Sequence, residues 1–288
     1  MITRFAPSPT GPLHLGHAYS ALLAHDMARA AGGRFLLRIE DIDSTRSRPR
    51  WEQQIYQDLA WLGITWDAAP MRQSERLPAY RAALQALWAR GLLYPCTCKR
   101  RDIATAASAP QEGAAPVHGP DGLVYPGTCR DKARDAAAPL PEGAALRLDM
   151  GRALASLGVA PDLGFEDSGE ATAAQARIRL TPAALRDGVG DIVLSRRDFP
   201  GSYHLSVVID DAAQGVTKVI RGADLFEATQ IHVVLQRLLG LATPRYHHHR
   251  LIRDAAGKRL AKRDDARAIA KYRAEGASPA DIRRMVGL

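Results

Sequence analysis

Cysteine is scarce in this chain: its 288 residues contain three. Three thiols are too few for a disulfide framework, and an odd number fits a reducing compartment, so a cytoplasmic location is expected. Long apolar runs are missing as well. No stretch of about 18 consecutive apolar residues occurs, which excludes a membrane-spanning helix by hydropathy. The N-terminus lacks a charged-then-apolar leader, so neither export nor a membrane partner is expected. There is no internal repeat and no heptad pattern, which excludes a solenoid and a coiled coil. Acidic side chains are in the minority. Against 39 Lys and Arg stand 31 Asp and Glu, and the resulting net charge of +8 favours a polyanionic partner.

What is present is an ordinary globular composition, 46% hydrophobic and 24% charged, long enough for one large core or a main domain with an inserted subdomain. The most informative segment is the N-terminal one, Arg4-Phe5-Ala6-Pro7-Ser8-Pro9-Thr10-Gly11-Pro12-Leu13-His14-Leu15-Gly16-His17. A short apolar start, Ile2 to Ala6, enters a Pro- and Gly-rich loop, and a helix is predicted from Ala18 to Ala31. Strand, tight loop and helix N-terminus in that order make an anion site, because free backbone N–H groups and the positive end of the helix dipole converge there. His14 and His17 can donate to phosphate oxygens from the same turn.

Residues 2 to 43 predict strand, loop, helix, strand, with the helix closed by Gly32-Gly33 and Arg34 to Ile39 as the second strand. This is a parallel crossover unit, which puts the site at the carboxyl ends of the strands. Trp51, Ile55, Leu59 and Leu62 mark a further helix, and Leu77, Tyr80, Leu84, Leu87 and Trp88 another that stops at Gly91. Residues 104 to 145 show no period and are expected to form a mobile insertion, poorly ordered between Ala104 and Gly122. Asp191 to Leu194, Tyr203 to Ile209 and Val216 to Ile220 predict strands, with a turn at Asp210-Asp211. Leu225 to Leu239 predicts a helix, and residues 266 to 287 two short ones, the second opened by Ser278-Pro279. The organisation expected is a first catalytic half at 1–95, an inserted subdomain at 96–190, a second catalytic half at 191–265 and C-terminal helices at 266–288.

All three thiols fall within that insertion, at Cys96-Thr97-Cys98 and in Tyr125-Pro126-Gly127-Thr128-Cys129. Gathered thiols in a reducing compartment favour zinc, which takes four tetrahedral ligands, so a fourth ligand is needed. His247-His248-His249 is less promising as a metal site. On a strand, adjacent side chains point to opposite faces, so this run is expected to be structural or RNA-facing.

Four ordered motifs resemble the class I aminoacyl-tRNA synthetases of the glutamyl branch. Arg4 to His17 is similar to the first class signature, and Arg38-Ile39-Glu40-Asp41-Ile42-Asp43 and Ile220-Arg221-Gly222-Ala223-Asp224 follow the branch pattern. Gly257-Lys258-Arg259-Leu260-Ala261-Lys262-Arg263 resembles the second, lysine-rich signature, departing from it at Arg259 and Ala261. The resemblance runs from residue 3 to about 270. It implies an α/β fold, a Rossmann-type parallel-sheet catalytic domain with an inserted zinc-bearing subdomain and a short C-terminal helical segment. It implies ATP, bound with Mg²⁺ by His14, Gly16, His17 and Lys262, of which His14, His17 and Lys262 would be catalytic. It implies a glutamate pocket from Arg4, Phe5, Ala6, Pro7, Ser8, Glu40, Tyr203 and Arg221. Glu40 would take the ammonium, Arg221 the side-chain carboxylate, and Tyr203 a hydroxyl contact.

Only about 25 residues follow Arg263, so no large anticodon-reading domain is expected. With the Cys-x-Cys…Tyr-x₃-Cys insertion, this resembles the glutamyl-Q tRNA(Asp) synthetase family. There the fourth zinc ligand is a tyrosine, here Tyr125, beside Cys96, Cys98 and Cys129. That family activates L-glutamate without tRNA and esterifies it onto queuosine, the wobble base in the anticodon loop of tRNA(Asp). A monomer is expected. The sequence leaves two alternatives open: a glutamyl-tRNA synthetase charging a tRNA 3′ end, and a non-catalytic nucleotide- or RNA-binding paralogue.

Overall fold

Short apolar segments alternating with helix-forming ones fold into parallel strands joined by crossover helices. A computed structural model describes residues 1–107, 117–131, 135–159, 161–170, 176–197, 199–253 and 267–288. The chain opens as β1 (Ile2–Phe5), α1 (Leu15–Ala30), β2 (Arg34–Ile39), α2 (Pro49–Trp61) and β3 (Met71–Arg72). It continues as α3 (Leu77–Ala89), β4 (Leu93–Cys96), α4 (Arg100–Ala107), the hairpin β5 (His118–Gly119) and β6 (Gly122–Leu123), β7 (Ala145–Leu148) and α5 (Met150–Ser156). Next come β8 (Gly164–Asp167), β9 (Ala176–Arg179), α6 (Pro182–Ala184) leading into a π-helical turn, and β10 (Val193–Ser195). The last elements are α7 (Tyr203–Ala213), β11 (Lys218–Gly222), α8 (Thr229–Leu238), β12 (Arg245–His249), α9 (Ile269–Ala274) and α10 (Pro279–Val286).

β1, β2 and β3 pair in parallel, as do β11, β12 and β8, with β9 antiparallel at that edge. The Thr217 amide donates to the Ile2 carbonyl at 3.0 Å, so β11 runs beside β1. The carboxyl ends of β1, β2, β11 and β12 therefore open on one side, where a parallel sheet holds its ligands. β4, β7 and β10 form a separate antiparallel sheet. One core packs Ala18, Leu22 and Ile55 on Phe35, Leu37 and Ile39; another joins Tyr80, Leu84, Phe165, Val208 and Val234. Each of the Leu, Ile, Val and Phe side chains contributes roughly 2 kcal/mol of transfer free energy. Among the described residues no helix is long and apolar enough to cross a membrane.

The fold class expected from the sequence holds, including the C-terminal helices. Ser278 caps α10 by accepting from the Asp281 amide at 3.2 Å, and Pro279 follows at the first helical position. Several element assignments change. Tyr203 to Ile209 is helix, not strand, and Asp210-Asp211 is its continuation, not a turn. Aromatic and β-branched residues suggest a strand, but seven of the eleven residues of α7 are buried, polar ones among them, which blurs the amphipathic period that identifies a helix. α1 starts three residues early, at Leu15, because His14 caps it, and α8 starts at Thr229 after a short 3₁₀ turn. Within the stretch expected to lack order, α4 reaches Ala107 and the hairpin occupies His118 to Leu123. Residues 108–116 lie outside the described residues.

Candidate functional site

The N-terminus of α1 is built by its two histidines. The Gly16 amide donates to His14 Nδ1 at 3.1 Å, and the His14 amide donates to His17 Nδ1 at 3.2 Å. Both Nδ1 atoms are acceptors, so in the neutral rings each proton sits on Nε2. The rings lie 3.8 Å apart and offer two N–H donors beside the helix N-terminus. Gly16 lets the ring sit close: a Cβ there would lie 3.0 Å from His14 Cε1, so the imidazole would have to shift by a few tenths of an ångström.

Arg4, Phe5 and Ala6 at the end of β1 share one cavity of about 420 Å³ with His14, Gly16 and His17, with Glu40, and with Tyr203 and Arg221. The structure thus brings together nine of the residues singled out in the sequence. Pro7 and Ser8 are not among the cavity's lining residues, but the Pro7 carbonyl accepts from the Glu40 amide at 3.0 Å and ties that carboxylate to the loop. Lys262 lies outside the described residues. The described residues flanking it adjoin the cleft: Leu251 and Ile252 line it, and Ala268 bridges to His14.

The polar floor is a network of charges. Asp211 accepts from Arg4 Nε at 2.9 Å and from Arg38 Nη1 at 2.7 Å, while Arg38 Nη2 reaches Glu40 at 3.3 Å. Burial would raise the Asp211 carboxyl, but the two guanidiniums outweigh it and hold it at about 2. Burial wins at Glu40, which is raised above the ordinary carboxylate range despite Arg38 and Arg4. Burial likewise raises the Tyr203 phenol.

Arg221 is held differently. Nε donates to His248 Nε2 at 3.0 Å, Nη1 to His232 Nδ1 at 3.2 Å, and Nη2 to Thr229 Oγ1 at 2.6 Å and to the Leu225 carbonyl at 3.1 Å. His248 in turn pairs through Nδ1 with the buried carboxylate of Asp167. His249 lines the cleft, its Nε2 accepting from the Ser20 hydroxyl at 2.6 Å. Of the histidine run, His248 is structural and His249 faces the cavity, consistent with strand alternation. Sequence reasoning missed Arg38 and Asp211 as partners of the pocket, and His232 and His248 as partners of Arg221. A helical assignment of α7 would have turned Asp211 toward β1.

The three thiols converge elsewhere, in a small buried cluster with Tyr94. Their sulfurs lie within 4.8 Å of one another, with Cys98 and Cys129 at 3.6 Å. Tetrahedral zinc with sulfur at about 2.3 Å requires sulfurs about 3.8 Å apart, so this spacing fits. Tyr125 Oη lies 3.5 Å from Cys96 Sγ and 3.4 Å from Cys98 Sγ, and accepts from the Cys129 amide at 2.9 Å. The Arg147 guanidinium packs 3.9 Å over the Tyr125 ring.

Comparison with known proteins agrees with this geometry. The catalytic domain of class I tRNA synthetases of the glutamate and glutamine type matches residues 1–118 and 171–288. A glutamyl-Q tRNA(Asp) synthetase of Rhodobacter capsulatus is 67% identical over 288 residues, covering all of both chains. One from Geobacter sulfurreducens is 42% identical, covering 95% of this chain and 79% of its own. The crystal structure of a glutamate tRNA ligase from Elizabethkingia meningosepticum, in complex with its amino acid, superposes with a TM-score of 0.75 at 27% identity. All of this chain is covered, spanning 60% of that longer protein. The chain therefore belongs to the glutamyl-Q tRNA(Asp) synthetases, ligases built on the class I catalytic domain of the glutamate and glutamine type.

Proposed function

We propose that this enzyme activates L-glutamate with ATP in the absence of tRNA and transfers it to the queuosine base at the wobble position of tRNA(Asp). The observation that carries the proposal is one cleft holding both a phosphate-binding helix N-terminus and a split charge pair, Glu40 and Arg221. In the first step a carboxylate oxygen of glutamate attacks the α-phosphorus of ATP; the bond to the bridging oxygen breaks and pyrophosphate leaves. The reaction needs positioning and charge stabilisation more than a protein nucleophile. His14 and His17 supply Nε2–H donors to the phosphate oxygens, and the α1 dipole adds to them. Lys262 is the proposed cation that completes the phosphate clamp, and Mg²⁺ would accompany ATP.

Glu40 binds the substrate ammonium and Arg221 the side-chain carboxylate, with Tyr203 between them as a hydroxyl contact. With four of its five N–H groups held by His248, His232, Thr229 and Leu225, Arg221 offers the carboxylate its remaining Nη1 N–H and its positive charge, which favour glutamate over glutamine. In the second step a hydroxyl of queuosine attacks the mixed anhydride, forming an ester and releasing AMP. Recognition of the anticodon loop rests on phosphate contacts and on stacking of splayed bases, which suits the net charge of +8. Cys96, Cys98, Cys129 and Tyr125 are the proposed zinc ligands. Four protein donors leave no open coordination position, so the metal would be structural.

Glutamate-dependent ATP–pyrophosphate exchange, measured without RNA, tests the first step. Exchange that runs without RNA supports it. Exchange that appears only on adding tRNA(Glu) would replace it with a 3′-end-charging synthetase, and none under either condition would leave a binding paralogue.

A further inference from the structure

Two kinds of arginine surround the cleft. Arg4 and Arg38 share the Asp211 carboxylate, so much of their charge is already compensated. Arg221 is buried, yet among the described residues all of its hydrogen-bond partners are uncharged acceptors or imidazoles. Neutral acceptors fix a guanidinium in place without cancelling its charge, leaving that charge for a ligand carboxylate. This requires that both histidines present a lone pair to Arg221, which has no acceptor of its own.

Hydrogen-bond direction extends the requirement outward. Because His232 Nδ1 accepts from Arg221, its proton lies on Nε2, which faces His204 Nδ1 at 3.2 Å. His204 Nδ1 must then accept, so its proton lies on Nε2, which faces Asp121 Oδ1 at 3.3 Å. A carboxylate can only accept, so Asp121 anchors the outer end of the chain in the same direction that Arg221, which can only donate, sets at the inner end. Asp121 sits in the turn between β5 and β6, inside the stretch 119–170 that the matched catalytic domain does not cover. The hairpin is seated by a close backbone approach at Gly119, where a Cβ would come within 2.2 Å of the Gly188 carbonyl oxygen.

We propose that Asp121, His204 and His232 form a directed relay that orients Arg221 for the glutamate side chain, making the insertion hairpin a determinant of amino-acid specificity. All three are positioning residues. The inference rests on the assignment of Arg221 to the substrate carboxylate. If the relay is reversed, His232 turns an N–H toward a guanidinium N–H, and the buried donors oppose each other.

Asp121→Lys tests this most sharply. Its ammonium donates to His204 Nε2 and reverses every bond as far as Arg221. The side chain of Asp121 is 46% exposed, so the substitution should not disturb folding. By simple long-range attraction, an added cation near the pocket would lower KM for an anionic substrate. Reversal predicts the opposite: KM for glutamate in exchange rises about tenfold with kcat little changed, the loss expected for one buried mispaired donor. Asp121→Asn retains the acceptor and keeps the wild-type KM. His232→Gln, which can accept from Arg221 and donate to His204, keeps most of the affinity, while His232→Leu loses it and narrows the preference for glutamate over glutamine. An unchanged or lowered KM in Asp121→Lys would overturn the relay. Arg221→Gln separates the two claims: if it too leaves KM unchanged, the assignment of Arg221 fails first, whereas a large Arg221 effect with a silent Asp121→Lys removes only the relay.

Discussion

At the residue scale, the cleft pairs Arg4 and Arg38 with Asp211 while Arg221 is held by neutral acceptors. Among the described residues Arg221 has no carboxylate partner, so Arg221→Gln should cut kcat/KM for glutamate by at least about a hundredfold, the scale of a lost charge-assisted pair, and reduce discrimination against glutamine. Steady-state exchange with both amino acids checks it. Glu40 carries the opposite charge under strain. Its carboxyl is raised by burial, so it takes up a proton at a pH above the ordinary glutamate range. KM for glutamate should accordingly climb on mild acidification, and Glu40→Gln should lose that acid limb of the pH profile. Asp211 behaves in the reverse sense. Its folded value of about 2 lies below the unfolded 3.8, so its stabilisation is complete above that value and lost as pH falls from there toward 2. Asp211→Asn should be destabilised by about 3 kcal/mol at neutral pH, as for a broken buried pair, and should show a shallower acid loss in urea titrations.

At the scale of elements, α1 and α7 carry the site in different ways. The N-terminus of α1 depends on glycine beside the His14 ring, so Gly16→Ala should displace that ring and slow exchange by roughly tenfold to a hundredfold, with the thermal transition nearly unchanged. A variant with normal exchange would show that the ring position is immaterial. Lys262→Ala should depress exchange while leaving the fold intact, and unaltered exchange would remove that lysine from the mechanism. These predictions rest on motifs that are compact in the chain. His14, Gly16 and His17 lie in one turn, and Cys96 and Cys98 are two apart, so local spacing is enough to mark them as candidates. α7 was not legible in the same way. Its partners are distant, with Arg4 and Asp211 separated by 207 positions, and the burial of polar residues such as Asp210 and Asp211 blurs the hydrophobic period. The same holds for His232 and His248, whose meaning comes only from Arg221 lying between them.

At the scale of the whole molecule, a basic class I catalytic domain surrounds an unmatched stretch, residues 119–170, whose Asp121 meets His204 of α7. If the thiol cluster holds a structural metal, elemental analysis should find about one zinc per chain, and Cys98→Ser should lower both zinc content and melting temperature. Metal-free protein of wild-type stability would contradict that. The central claim concerns where the activated glutamate goes. Radiolabelled glutamate should be incubated with ATP, the enzyme and three RNAs: tRNA(Asp) carrying queuosine, tRNA(Asp) with unmodified guanosine, and tRNA(Glu). The account predicts label on queuosine-containing tRNA(Asp) alone; label on tRNA(Glu), or equal label on both forms of tRNA(Asp), would contradict it.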